Sequence, residues 1–149
     1  MRLSNLADYA VVMLAAAARD ADARLNATCL AERTGIPLPT AQKLVGRLAT
    51  AGLLVSSRGA GGGFRLSRVP SEISLADIVE AVEGPIALTA CVEAGRHDCG
   101  LDHQCQVRPH WGVVNDAMRG ALAGVSLASL AASPAAPQQS APQPEGVPA

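Results

Sequence analysis

The amino-acid sequence predicts a mainly α protein with a small β-hairpin wing: a winged helix-turn-helix followed by a long C-terminal helix. Three observations lead there. Apolar residues recur at helical spacing in several stretches separated by Gly, Pro and capping residues. Two short apolar runs, Leu53–Val55 and Phe64–Leu66, flank the glycine-rich segment Ser56–Gly63 in the manner of a hairpin. Of the 149 residues 49% are hydrophobic but only 2% aromatic, and 29 are Ala. An aliphatic, Ala-rich composition favours helix over sheet.

Taken in order, the first helix carries Leu3, Leu6, Ala10, Met13, Leu14 and Ala17 on one face. Arg2, the apolar run Ala10–Ala18 and Ala21-Asp22-Ala23 imitate a secretory signal and its cleavage site. Asp8 lies between the basic residue and that run, and the spacing is that of an amphipathic helix, so a retained helix is expected. Asn26 caps a second helix, Ala27–Thr34, which Gly35 stops. Pro37 and Pro39 open a third, because a helix start tolerates a missing N–H. Ala41, Leu44, Val45 and Leu48 form its apolar face until Gly52.

After the hairpin, Ser74 caps a fourth helix, with Asp77 in capping-box position. Its residues Ile78, Val79 and Val82 point inward until Gly84-Pro85. From Pro109 a long helix carries Trp111, Val114, Met118, Leu122 and Val125 at steps of three and four. That is a coiled-coil-like seam, too short to stand alone. Ser126 caps a final turn or two, Leu127–Ala132. Residues 133–149 hold five of the ten prolines and no Leu, Ile or aromatic residue, and are expected to be a disordered tail. The chain thus divides into a winged-helix region (1–70), a scaffold helix, cysteine loop and long helix (71–132), and the tail.

The net charge of −1 conceals two opposed regions. Residues 1–70 carry nine Arg/Lys against four Asp/Glu; residues 71–107 carry one against seven; residues 108–149 carry two of each. A basic front half suits a polyanion. In a winged helix the second helix of the pair enters the major groove and its first residues meet base edges. Pro39, Thr40, Gln42 and Lys43 stand at that start, with Arg47 further along and better placed for phosphate. At the wing tip Arg58 adjoins Gly59 and Gly61, which would let the backbone approach DNA while the guanidinium enters a narrow minor groove. The glycine run lacks the Lys-Ser/Thr ending of a phosphate loop.

Cys91, Cys99 and Cys105 lie between the two later helices. Thiolates suit iron–sulfur clusters, zinc or Cu(I). His97 and His103 alternate with them and could complete a zinc site. Cys29, inside the helix pair, reads as a packing residue. No nucleophile, base and orienting group fall together as in an enzyme. No run is long enough to span a membrane, so a cytoplasmic protein with reduced thiols and no small-molecule substrate is expected.

Met1-Arg2-Leu3-Ser4, Asp8-Tyr9-Ala10-Val11, Leu30–Ile36, the wing Arg58–Leu66 and the three-cysteine loop together resemble the IscR/NsrR/RirA-type bacterial iron–sulfur transcription regulators. Glu83–Thr89, His110-Trp111 and Asn115-Asp116-Ala117 are most similar to the branch that regulates the SUF cluster-assembly operon. The resemblance implies a repressor that binds a near-palindromic operator, dimerises through the helix from Pro109 and holds a cluster on Cys91, Cys99 and Cys105. Some relatives supply a His three residues after the last Cys; here that residue is Arg108, which cannot ligate iron. Asp8 stands where others use an acidic ligand, and His103, His97 and Glu93 are further options. The open fourth ligand leaves the cluster type open, with [2Fe–2S] favoured over [4Fe–4S]. The alternatives are a zinc-stabilised or thiol-redox winged-helix regulator, and a cluster carrier without a DNA role. The aliphatic content is thin for a monomer and points to a core completed by a second copy.

Overall fold

Local signals decide where each helix begins. The computed structural model describes residues 2–20, 25–59, 61–92, 99–101 and 104–132. Helix α1 spans Asn5–Ala18, α2 Ala27–Thr34, α3 Leu38–Thr50, α4 Leu75–Glu83, α5 Arg108–Ala123 and α6 Leu127–Ala131. Ser4 caps α1 by accepting from the Ala7 N–H at 3.1 Å, and Asn26 caps α2 by accepting from Cys29 N–H at 2.7 Å. Ser74 and Asp77 form both halves of a capping box on α4, and Ser126 caps α6. Each such cap is worth about 1 kcal/mol. Pro39 sits in the first turn of α3, where its missing N–H costs nothing.

The hairpin is β1 (Leu54–Ser57) paired antiparallel with β2 (Gly63–Leu66), in the register Leu54 opposite Leu66 and Ser57 opposite Gly63. It reaches slightly nearer the wing tip than the apolar runs indicate, because Ser56 and Ser57 continue the ladder opposite Phe64 and Gly63. Helix α5 starts at Arg108, one residue before Pro109, and α6 ends at Ala131. The expected tail, residues 133–149, and the cleavage-site mimic at 21–23 lie outside the described residues.

Helix α1 is the hub, packed against α2, α4 and α6. Met13, Leu14, Leu30, Leu44, Leu48, Ile73, Ile78 and Leu127 are its fully buried large neighbours or members. Burying each such side chain stabilises by about 1.5–3 kcal/mol. The same cluster runs from Ala10 to Leu127, so the charge boundary near residue 70 is not a packing boundary. Two backbone bonds fasten the return of the chain: Leu75 N–H donates to the Val125 carbonyl at 2.8 Å and Leu127 N–H to the Ile73 carbonyl at 2.7 Å. Arg19 then donates to the Ala131 carbonyl at 2.9 Å. No helix among the described residues is long and apolar enough to cross a membrane.

Helix α5 is the exception to this packing. Of its 16 residues only Asn115 is buried, and it packs on α4. Trp111, Met118, Leu122 and, just beyond the helix, Val125 are half-buried, while Val107 before the helix and Val113 and Val114 in it are exposed.

Candidate nucleic-acid interface and thiol loop

The helix pair is set by a tight turn. Gly35 has φ 75°, the left-handed region where a side chain is strained, and its N–H returns to the Ala31 carbonyl at 2.8 Å. Ile36 then drops into the core at 5% exposure. With Ala41, Leu44, Val45 and Leu48 buried, α3 turns Gln42, Lys43, Gly46 and Arg47 to solvent, with Pro39 exposed and Thr40 half-buried at its start. All but Gly46 are residues expected to read DNA, and they share one face. Gln42, Lys43, Gly46, Arg47 and Thr50 line an open groove of about 450 Å³ whose other wall is Glu80 and Ala81 of α4. Arg47 is exposed, but its guanidinium is engaged: it donates to the Val82 carbonyl of α4 at 2.6 Å.

The wing projects beside this face. Phe64 N–H donates to the Leu25 carbonyl at 2.6 Å and Leu25 N–H to the Phe64 carbonyl at 3.4 Å, which pins β2 to the start of α2. Ser57 Oγ donates to the Gly63 carbonyl at 3.2 Å. Arg58 is exposed at the tip, followed by Gly59 at φ 127° and Gly61 at φ 86°.

The thiol side begins where α4 ends. Cys91, Cys99 and Cys105 are half-buried and none is in a disulfide; Cys29 is likewise half-buried and free, in the first turn of α2. Cys91 Sγ lies 3.0 Å from Thr89 Oγ1. Among the described residues no group of three His, Cys, Asp or Glu stands close enough to hold a metal ion. His97, His103 and Glu93 lie outside the described residues. Asp8 is exposed in the first turn of α1, and the Ser4 N–H just before it donates to Glu83 Oε1 of α4 at 3.0 Å. Three reduced, partly accessible thiols are the donor chemistry that a cluster or zinc requires.

Two contacts here are not indicated by spacing or composition. Asn115 holds the segment leading to Cys91, donating to the Ile86 carbonyl and accepting from Leu88 N–H, both at 2.9 Å. Glu80 takes a two-pronged bond from Arg119, at 2.8 and 2.9 Å. That bond holds the Glu80 carboxyl below its ordinary value, against the opposing effect of partial burial. A depressed folded-state value stabilises above the unfolded value near 4 and is lost as pH falls through the folded one. Glu80→Gln should therefore lower Tm slightly at pH 7, and the difference from wild type should close below about pH 4 in an acid series of melts. A difference unchanged by acid would show that the carboxylate is not what holds Arg119.

A helix-turn-helix with an exposed Gln-Lys face, backed by a glycine-rich wing that ends in Arg58, defines a DNA-binding transcription regulator. The chain belongs to the Rrf2 family, described as iron-dependent transcriptional regulators, whose profile matches residues 3–133. It is 34% identical over 131 residues to the HTH-type transcriptional regulator IscR of Photorhabdus laumondii, covering 87% of this chain and 79% of that one. It is 36% identical over 122 residues to the protein aau3 of Rhizobium meliloti, covering 82% and 75%. Among solved structures, CymR, the global cysteine regulator of B. subtilis, superposes with a TM-score of 0.67 at 26% identity, covering 88% and 96%. T. potens IscR superposes with a TM-score of 0.64 at 26% identity, covering 87% and 85%. The two IscR proteins and CymR are regulators and not enzymes.

Proposed function

We propose that this protein is a cytoplasmic, homodimeric repressor of iron–sulfur cluster assembly genes that senses cluster status through Cys91, Cys99 and Cys105, with Asp8 or His103 as fourth ligand. One observation carries the reading: a basic winged head packs on α4, and the acidic segment that follows α4 in the chain carries three reduced thiols. Pro39, Thr40, Gln42 and Lys43 supply the groove contacts, and Arg58, Gly59 and Gly61 the wing contacts. When bound, a cluster supplies dependence on iron and reactivity toward oxidants or nitric oxide. The chain's own residues do the rest: the thiols hold the group, and α4 relates its occupancy to the pose of the head. DNA affinity can change only by the difference between the two poses.

The test joins spectroscopy to DNA binding. Protein purified without oxygen should show visible charge-transfer absorption that disappears in Cys91→Ala and in Cys99→Ala. Apo and loaded forms should differ in affinity for duplex DNA from upstream of the protein's own gene. Arg58→Ala should weaken both forms and flatten the dependence of log affinity on log salt by about 1 per subunit, about 2 for the dimer. A colourless protein with stoichiometric zinc would replace this reading with the zinc-stabilised regulator. Absorption without selective DNA binding in any state would point to a cluster carrier.

A further inference from the structure

The recognition helix and the residues leading to Cys91 are joined by one run of polar contacts. Arg47 on α3 reaches the Val82 carbonyl at 2.6 Å, one of the last carbonyls of α4, which have no amide partner within the helix. Glu80, on the same helix, binds Arg119 of α5 and accepts from Ile86 N–H at 3.5 Å. Asn115, one turn before Arg119, takes both the Ile86 carbonyl and the Leu88 N–H. Leu88 is three residues from Cys91. Asn115 is 8% exposed and is the buried polar side chain of the described core. An amide that donates and accepts on alternate residues of one segment fixes that segment's path as a neighbouring strand would.

We infer that Arg47 and Asn115 are positioning residues that make the recognition helix and the cysteine segment answer to each other, with Arg47 acting through the end of α4 and not as a phosphate contact. The inference deepens the sensing reading above and rests on it for its biological meaning. The contacts are unequal. Arg47 is exposed while Val82 is buried, so its loss breaks the link and removes this partner from a single carbonyl at the end of α4. Asn115 is buried, so its loss orphans two backbone groups and frees the segment outright. Any bias passed along this run is reciprocal: what alters residues 86–91 alters α3, and DNA on α3 alters residues 86–91.

Amide hydrogen exchange on the full chain tests this directly. Without DNA, Arg47→Ala should speed exchange at Leu88 by about fivefold or more, the low end of coupling between sites, although the hydrogen bond of Arg47 goes to Val82, outside that segment. Arg47→Lys should restore much of the protection. In wild type, duplex DNA from upstream of the gene should slow exchange at Leu88, and Arg47→Ala should remove that response. Asn115→Ala should raise Leu88 exchange whether DNA is present or not; should it fail to fold, the Arg47 pair still decides the matter. Unchanged Leu88 exchange in Arg47→Ala overturns the inference. So does a salt slope reduced by about 1 per subunit with the Leu88 response to DNA intact, the signature of a phosphate contact. A wild type that loads no cluster overturns the sensing reading alone, because exchange at Leu88 needs no cluster to be read.

Discussion

Gly63→Ala is expected to detach the wing from the body of the protein, destabilising it by about 1–3 kcal/mol and lowering Tm by roughly 3–10 °C. A Cβ at this position would lie 2.5 Å from the Leu25 carbonyl oxygen and 3.3 Å from its carbon. Both neighbours are backbone. The oxygen is also held at 2.6 Å by the Phe64 N–H, so it cannot withdraw without breaking the bridge that anchors β2. DNA affinity should fall with stability, because Arg58 is aimed by the hairpin that this bridge fixes. Gly120→Ala is the matched control: it is helical, exposed and has nothing within 4 Å of an added Cβ. That change should stabilise by about 0.5–1 kcal/mol through helix propensity. Thermal melts of the two variants decide the matter, and an unchanged Tm in Gly63→Ala would mean that the wing is not anchored at Leu25.

This close approach illustrates what could be read from the chain and what could not. Asn26, Gly35, Ser74 with Asp77 and Ser126 act on neighbours within a few residues, so the start and stop of α2, α4 and α6 were visible without a structure. The buried face of α3 follows from its own spacing for the same reason. Gly63 appeared only as one of several glycines in a flexible tip. Its role depends on Leu25, nearly forty residues earlier in the chain, and no periodicity reports such a contact. Asn115 is a stronger case. It stands next to an apolar seam and figures in the sequence only through the resemblance that Asn115-Asp116-Ala117 carries, yet it is the residue of α5 that is buried, because the backbone of Ile86 and Leu88 comes to meet it.

The site was legible by chemistry more than by arrangement. Three Cys with alternating His, in an acidic stretch between helices, declare soft-metal donors whatever their geometry. Arg47 shows the limit of that approach. A basic residue on an exposed helix face suits phosphate, and only the position of the α4 terminus reveals a second partner for it. The charge division at residue 70 misleads in a related way. Charge records which surface faces which partner, whereas Ile73, Ile78, Val82 and Leu127 record that both regions share one core.

Val114→Asp should convert the protein to a monomer and lower its affinity for a two-half-site duplex by about 10²–10⁴, the gain that linking two binding heads confers. Helix α5 is the ground for this expectation. A helix of 16 residues with one buried side chain has little tertiary support, and helices of this length are marginal in water by themselves. Val107, Val114, Met118 and Trp111 fall on one side of it, with Val114 at 46% and Val107 at 53% exposure. A second copy of α5 would cover that stripe and supply the support. In a two-fold interface each residue is placed twice, so one Asp per chain brings two carboxylates into an apolar seam. Neither would have a partner, and the loss falls on association. The core cluster of the winged head includes no residue of α5, so the monomer should lose far-UV helical signal from α5 alone and keep its affinity for a single half-site. Sedimentation of wild type and variant distinguishes the cases. A variant that stays dimeric would place the interface elsewhere, and a wild type already monomeric would leave the two-head mechanism without a foundation.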